Sequence, residues 1–312
     1  MKKKKTTSKF YLYGAIGCIA VIAIAGYLYC FSSFSKSSET KYVYIDADDN
    51  IDSVYNKVQP IAKSIPMRAF RTLTLHSGYA EHIRTGRYAI HPGDGALKVW
   101  RHMKNGLQEP VNLTIPSVRT IDKLAVELSK KLMLDSTEIK KALTDEAVCE
   151  KMGYDTATIA CMFIPNTYQV YWHTPVEDFI QRMYKEYRKF WTEERLVKAR
   201  KADLSPMDIL ILASIVEEET NIADEYPVIA GVYINRLNKG WKLEACPTLK
   251  FAWGDFSIRR VLDKHMEIDS PYNTYKNTGL PPGPVRMPSI RVIDAVLNYQ
   301  HHDYMFFCAK SD

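Results

Sequence analysis

From Phe10 to Phe31 the chain runs without a charge, FYLYGAIGCIAVIAIAGYLYCF. At a rise of about 1.5 Å per residue, this is long enough to cross a hydrocarbon core of roughly 30 Å. Tyr11, Tyr13, Tyr27 and Tyr29 stand near its ends, where interfacial aromatics gather. The run is long for a cleaved leader, and FSSFSKSSE offers no small-x-small cleavage site. The expected element is therefore an uncleaved transmembrane anchor over 10–31. Residues 32–41 are polar and Ser-rich and read as a linker.

After the linker the pattern changes period. YVYI (42–45) reads as a strand, and Ile51, Val54, Tyr55 and Val58 recur at helical spacing behind DADDN. A second helix opens near Pro66 and closes at Gly78. GRYAI then reads as a strand, and ALKVWRHMKN as a helix ending at Gly106. This strand–helix–helix–strand module, 42–110, carries no nucleophile–base pair and no phosphate loop. It reads as a binding or spacer unit. A larger α+β domain is expected from 111 to 312. VNLTIP alternates as a strand, and amphipathic helices follow at 117–132, 135–143 and 174–191. SPMDILILASIVEEETN and YPVIAGVYINRLNKG are apolar enough to be buried helices. LPPGPVRMPS cannot be regular, because its four prolines remove donors and fix φ.

The first of those two helices poses the chemical question, because three glutamates follow its apolar run. Ser205 with Asp208 spells a capping box, and Pro206 suits the first helical position. Advancing about 100° per residue from Ile209 puts Leu212, Ile215 and Val216 on one arc. Glu219 falls inside that arc. Glu218 faces away and is expected to be solvated, and Glu217, on the remaining flank, is expected to be partly buried. A carboxyl among apolar neighbours keeps its proton near neutral pH and can act as a general acid. The competing reading is a structural ion pair of Glu219 with an arginine such as Arg236.

Charge sharpens the topology. Residues 1–41 hold seven lysines and one acid, whereas the rest of the chain holds equal numbers of basic and acidic groups. The positive charge thus belongs to a basic tail, 1–9, expected in the cytoplasm. The bulk has no overall field to attract nucleic acid. The eight histidines show no HExxH spacing, and GxSxG and phosphate-loop motifs are absent. No metal or cofactor is expected. Cys149, Cys161, Cys246 and Cys308 are scattered and read as four separate small core residues, with a Cys149–Cys161 pair in an oxidising compartment as the alternative. Asn-, Thr- and Tyr-rich stretches (NTY 166–168, INRL 234–237, PT 247–248, SPYNTY 270–275) fit turn chemistry singly. Together they fit a carbohydrate groove.

ASIVEEET, VIAGVYINRL, LEACPTLKFAWG and SPYNTYKNTGLPPGP, in this order and preceded by FIPNTY, resemble the endolytic murein transglycosylases of the YceG-like family. The resemblance covers most of the chain. It implies an anchor, a small LysM-like domain (42–110) and a YceG-like catalytic domain (111–312). The implied activity is non-hydrolytic cleavage of the MurNAc–GlcNAc bond in peptidoglycan strands, leaving 1,6-anhydro-MurNAc ends. One glutamate, matching Glu219, serves as acid and then as base, and Glu217 matches a supporting glutamate. Thr167, Tyr168, Asn235, Arg236, Thr248, Asn273, Thr274 and Tyr275 match positions expected to line the groove. The implied setting is a single-pass protein of the bacterial cytoplasmic membrane, with its catalytic domain on the outer side and peptidoglycan synthases as partners. Two positions depart from the family pattern: Cys246 stands where Asp is frequent, and Phe251 where Tyr is frequent. Family members usually continue past the point where this chain ends in CAKSD, so a truncated C-terminus is expected. A non-catalytic cell-wall scaffold is the alternative. A glycosyltransferase using Asp46-Ala47-Asp48 is the third reading, although that triplet fits helix capping better.

Overall fold

The structure is a computed structural model that describes residues 4–308. Residues 1–3 of the expected cytoplasmic tail and 309–312 of the expected catalytic domain lie outside the described residues. The chain forms two compact units. One contains the residues up to Val111 together with Tyr171–His173; the other contains Asn112–Val170 and the chain from Thr174 onward.

In the first unit, α1 (Lys4–Phe31) contains an apolar stretch, Tyr11–Phe31, long and apolar enough to cross a membrane. Next come β1 (Lys41–Ile45), α2 (Ile51–Val58), α3 (Ser64–His76), β2 (Gly86–Ile90) and α4 (Ala96–Asn105). The strands pair antiparallel, with Lys41 opposite Ile90 and Ile45 opposite Gly86. Asn50 caps α2 by accepting from the Ser53 amide, so the DADDN stretch acts as a helix start. Asp46 and Asp49 both bind Lys57, which is the capping and charge-pairing use of this acidic stretch. Val43, Ile45, Val54, Val58, Phe70, Tyr88 and Val99 close one core between sheet and helices.

Residues 32–41 are not a free linker. Phe34 is fully buried in this core, edge-on to Phe70. Its amide donates to Asp94 O at 2.7 Å, and its carbonyl accepts from Lys63 N at 2.8 Å. The Ser-rich composition concealed one anchoring aromatic. The end of α1 is seated on the same unit, with the Tyr29 hydroxyl 3.0 Å from Thr72 Oγ1. A Cβ added at Gly95 would lie 2.6 Å from Cys30 O and 2.7 Å from Phe31 Cα. Only glycine allows that approach.

The second unit is predominantly helical. β3 (Val111–Thr114) pairs with β4 (Thr167–Val170) across α5 (Ile121–Ser129), α6 (Ser136–Thr144) and α7 (Glu146–Lys151). There follow α8 (Val176–Phe190), α9 (Glu193–Lys201), α10 (Pro206–Glu219), α11 (Tyr226–Asn238), α12 (Cys246–Trp253), α13 (Asp263–Met266) and α14 (Ile290–Leu297). The architecture is therefore mixed, with two small sheets and many helices. α10 is central, meeting α9, α11, α12 and α14, and every residue from Ile209 to Val216 is buried. The proline-rich stretch is irregular, as expected. It is pinned by Val285 N to Ser214 Oγ at 3.0 Å and Met287 N to Val118 O at 2.8 Å.

Candidate active site

The site grows from the C-terminal end of α10. The capping box at its start is complete: the Ser205 hydroxyl accepts from Asp208 N, and Asp208 accepts from Ser205 N. The last three residues of the helix are Glu217, Glu218 and Glu219, whose side chains diverge at steps of about 100°. Each meets a different element.

Glu217 Oε2 accepts the Ser289 amide at 2.8 Å and so caps the start of α14. It also lies 3.5 Å from Arg286 Nε. Glu218 departs from the sequence expectation of a solvated carboxylate. Its side chain is 11% exposed and takes a two-pronged bond from Arg119, both contacts 2.7 Å, and a third from Arg286 at 2.9 Å. The physical reason is that a helix surrounded on most sides has no solvent face opposite its apolar stripe. The wheel separates Glu218 from Glu219 but does not expose it.

Among the described residues, Glu219 pairs with no arginine. Its Oε1 accepts the hydroxyl of Tyr233, on α11, at 2.6 Å. Burial pushes the Glu219 carboxyl above its ordinary 4.5, against the lowering effects of the Tyr233 hydrogen bond, Lys250 and Arg236. The residue is nonetheless part-exposed. Tyr233 itself is fully buried, and burial together with Glu219 holds its phenol well above 10. Sequence reasoning missed Tyr233. The available signal was a lone hydroxyl within the apolar run VIAGVYI, which a buried helix must provide with a partner.

Arg236, the partner considered for Glu219, is spent elsewhere. It donates to Met305 O at 2.8 Å and Leu243 O at 2.7 Å. Asn235 donates to His302 O at 2.7 Å and Tyr304 O at 3.0 Å. These two residues therefore tie the segment 302–305 across α11 rather than presenting free groups to a ligand. His302 is part of the seam, its ring nitrogen 3.0 Å from Val228 O, and Phe307 meets Tyr233 edge-on at 5.8 Å. A Cβ at Gly231 would lie 2.4 Å from Gln300 O, so glycine admits this close passage.

Thr248, Asn273 and Thr274 are fully buried, unlike residues that line a groove. Thr248 and Thr274 hydroxyls pair at 2.8 Å, and Thr274 Oγ1 accepts from Ala245 N at 3.0 Å. Asn273 donates to Met266 O and Ile268 O and accepts from Tyr275 N. Their polar groups are consumed in shaping the loop that carries Tyr275. Tyr275 keeps some exposure, and its hydroxyl lies 3.3 Å from Cys246 Sγ. Burial and Cys246 raise its phenol above the ordinary range. Phe251 packs on Tyr272 with ring centres 4.7 Å apart. Thr167 is exposed and paired with Thr114 at 2.9 Å, and the Tyr168 hydroxyl donates to Ile164 O at 2.7 Å.

The YceG-like family model matches residues 43–312. The chain is 40% identical over 139 residues to the endolytic murein transglycosylase of Bacillus subtilis, covering 45% of this chain and 38% of that protein. It is 29% identical over 233 residues to the protein of that name in Streptococcus pneumoniae, covering 65% of this chain and 41% of that one. These matches thus span about two fifths of either relative. In structure it resembles a yceG-like protein of Listeria monocytogenes, with a TM-score of 0.57 and 26% identity over 88% of this chain and 94% of the other. With a family model matched over most of its length and a structural relative of the same family, the chain belongs to the YceG-like family.

Proposed function

We propose that this chain is a membrane-anchored lytic transglycosylase that cuts MurNAc–GlcNAc bonds inside peptidoglycan strands, with Glu219 as its catalytic residue. One observation carries the reading: Glu219 keeps residual exposure, its described partner is a tyrosine rather than an arginine, and burial raises its carboxyl above the ordinary value. That is the condition for donating a proton to a glycosidic oxygen. The carboxyl proton passes to the leaving oxygen as the C1–O bond breaks. The MurNAc 6-hydroxyl then closes on C1 and returns its proton to Glu219, so no water enters and no second carboxylate is needed.

In this reading Glu217 supports the site by capping α14, and Glu218 holds Arg119 and Arg286 behind it. Tyr275, Thr167 and Tyr168 contact the glycan directly. Asn235, Arg236, Thr248, Asn273 and Thr274 act from beneath, by fixing the segments that border the site. α1 spans the cytoplasmic membrane with the basic tail inside, and both units stand on the outer side near the synthases whose strands they cut. The first unit is a LysM-like glycan-binding module. The reading requires no cofactor.

The test is digestion of purified glycan strands by the full chain and by Glu219→Gln, followed by mass spectrometry of the product ends. Anhydro-MurNAc ends from the parent and none from the variant are expected. New reducing ends in their place would identify a hydrolase. Intact strands with either protein, alongside retained glycan binding, would favour the scaffold reading.

A further inference from the structure

A single carboxyl that first gives and then takes a proton must use its two oxygens unequally. The geometry around Glu219 is unequal: Oε1 is engaged by the Tyr233 hydroxyl at 2.6 Å. Tyr233 is fully buried, carried on α11, and flanked edge-on by Phe307. A phenol in that setting retains its proton, so it is the donor of this bond and Oε1 the acceptor. The transferable proton of Glu219 is then carried on Oε2.

Resting on the transglycosylase reading, we propose that Tyr233 is a positioning residue for this reaction. Its hydroxyl holds Oε1 throughout, so that the same oxygen, Oε2, releases the proton to the leaving group and receives it from the attacking 6-hydroxyl. As the proton leaves, negative charge grows on the carboxylate, and the Tyr233 bond strengthens with it. Tyr233 therefore assists the transition state more than the ground state, and its removal should act on kcat rather than on KM.

The other groups facing Glu219 set the background. Arg236 from α11 and Lys250 from α12 favour the carboxylate, and Glu218 disfavours it. Tyr275, whose hydroxyl meets Cys246 at 3.3 Å, senses the charge of Glu219 and of Glu244. None of these changes when one oxygen is removed from Tyr233. Deleting that donor removes an influence favouring the ionised form, so the Glu219 carboxyl keeps its proton to higher pH.

The experiment compares the full chain in detergent with its Tyr233→Phe form, which keeps the ring and its contact with Phe307. Two readouts are taken. On glycan strands, kcat should fall on the order of 10- to 100-fold, the scale of a charge-assisted hydrogen bond, with KM unchanged. The high-pH limb of the profile should move upward. In infrared difference spectra against Glu219→Gln, titration of the Glu219 carboxyl band should shift to higher pH in Tyr233→Phe. Unchanged kcat and an unmoved limb would overturn the proposal, as would a loss confined to KM. The infrared titration needs no turnover: a shifted band with an inactive parent would leave the contact standing and refute the transglycosylase reading instead. An unshifted band would refute the positioning role whatever the activity.

Discussion

Replacing Glu219 by glutamine tests the protonation argument without reference to catalysis. Glutamine keeps the shape and still offers an oxygen to the Tyr233 hydroxyl, but it cannot ionise. Burial raises the Glu219 carboxyl in the folded chain above its ordinary 4.5. A group raised in this way contributes stability that is fully present below the unfolded value and is lost as pH rises through the folded one. Below about pH 4 both side chains are neutral, and the stability difference between parent and variant is a constant offset. Above it the unfolded parent ionises while the folded parent resists. The variant then gains about 1.4 kcal/mol relative to the parent for each unit that separates the two values. The gain levels off once pH exceeds the folded value. The assay is denaturant unfolding of both full chains in detergent across pH 4 to 9, following a probe in the second unit. A difference that stays flat with pH, or that turns against glutamine at pH 8, would mean that Glu219 is held as a compensated anion. The general-acid argument would then fail.

Glu218→Ala should destabilise the second unit by about 2–3 kcal/mol in the same unfolding assay. This is below the figure for breaking a fully buried pair, because the Arg119 side chain is 42% exposed and screened. Glu217→Ala removes the acceptor for Ser289 N and should cost about 1 kcal/mol, the usual worth of an N-terminal cap; hydrogen exchange at the first turn of α14 should rise with it. Phe34→Ala should lower the stability of the first unit by about 3–5 kcal/mol, as for any fully buried phenylalanine, whereas a true linker residue would leave its melting temperature unchanged. Gly231→Ala should loosen the chain around Gln300 and His302, read as faster proteolysis there with α11 still protected.

What could be read in advance was whatever a local rule controls. The Ser205–Asp208 capping box, the long apolar run of α1 and the inward turn of Glu219 each follow from spacing within one element. YVYI and GRYAI read as short strands between turn residues, and the two do pair. What escaped depends on partners far along the chain. Arg119 reaches Glu218 across 99 residues and Arg286 across 68, and no periodicity announces such a meeting. Tyr233 looked like one more apolar position because its ring satisfies the helix pattern and its hydroxyl does not show in it. Thr248, Asn273 and Thr274 matched the right motif, but a motif does not distinguish a side chain that touches a ligand from one that holds the loop beneath it. Phe34 was hidden by its neighbours, since a serine-rich stretch averages as flexible even when one aromatic pins it.

The seating of Phe34, and of the α1 end against Gly95, changes how the first unit would behave beside a bilayer. A free leash of about ten residues wanders over about 17 Å, and its cargo would sample many heights and orientations above the lipid. Here Phe34 is buried in the core and the helix end meets Gly95 directly. With α1 inserted, the first unit would ride on the helix as a fixture, held at one standoff from the headgroups. A tilt or rotation of that helix, imposed by a thicker membrane or a neighbouring span, would turn the unit with it rather than being absorbed by slack.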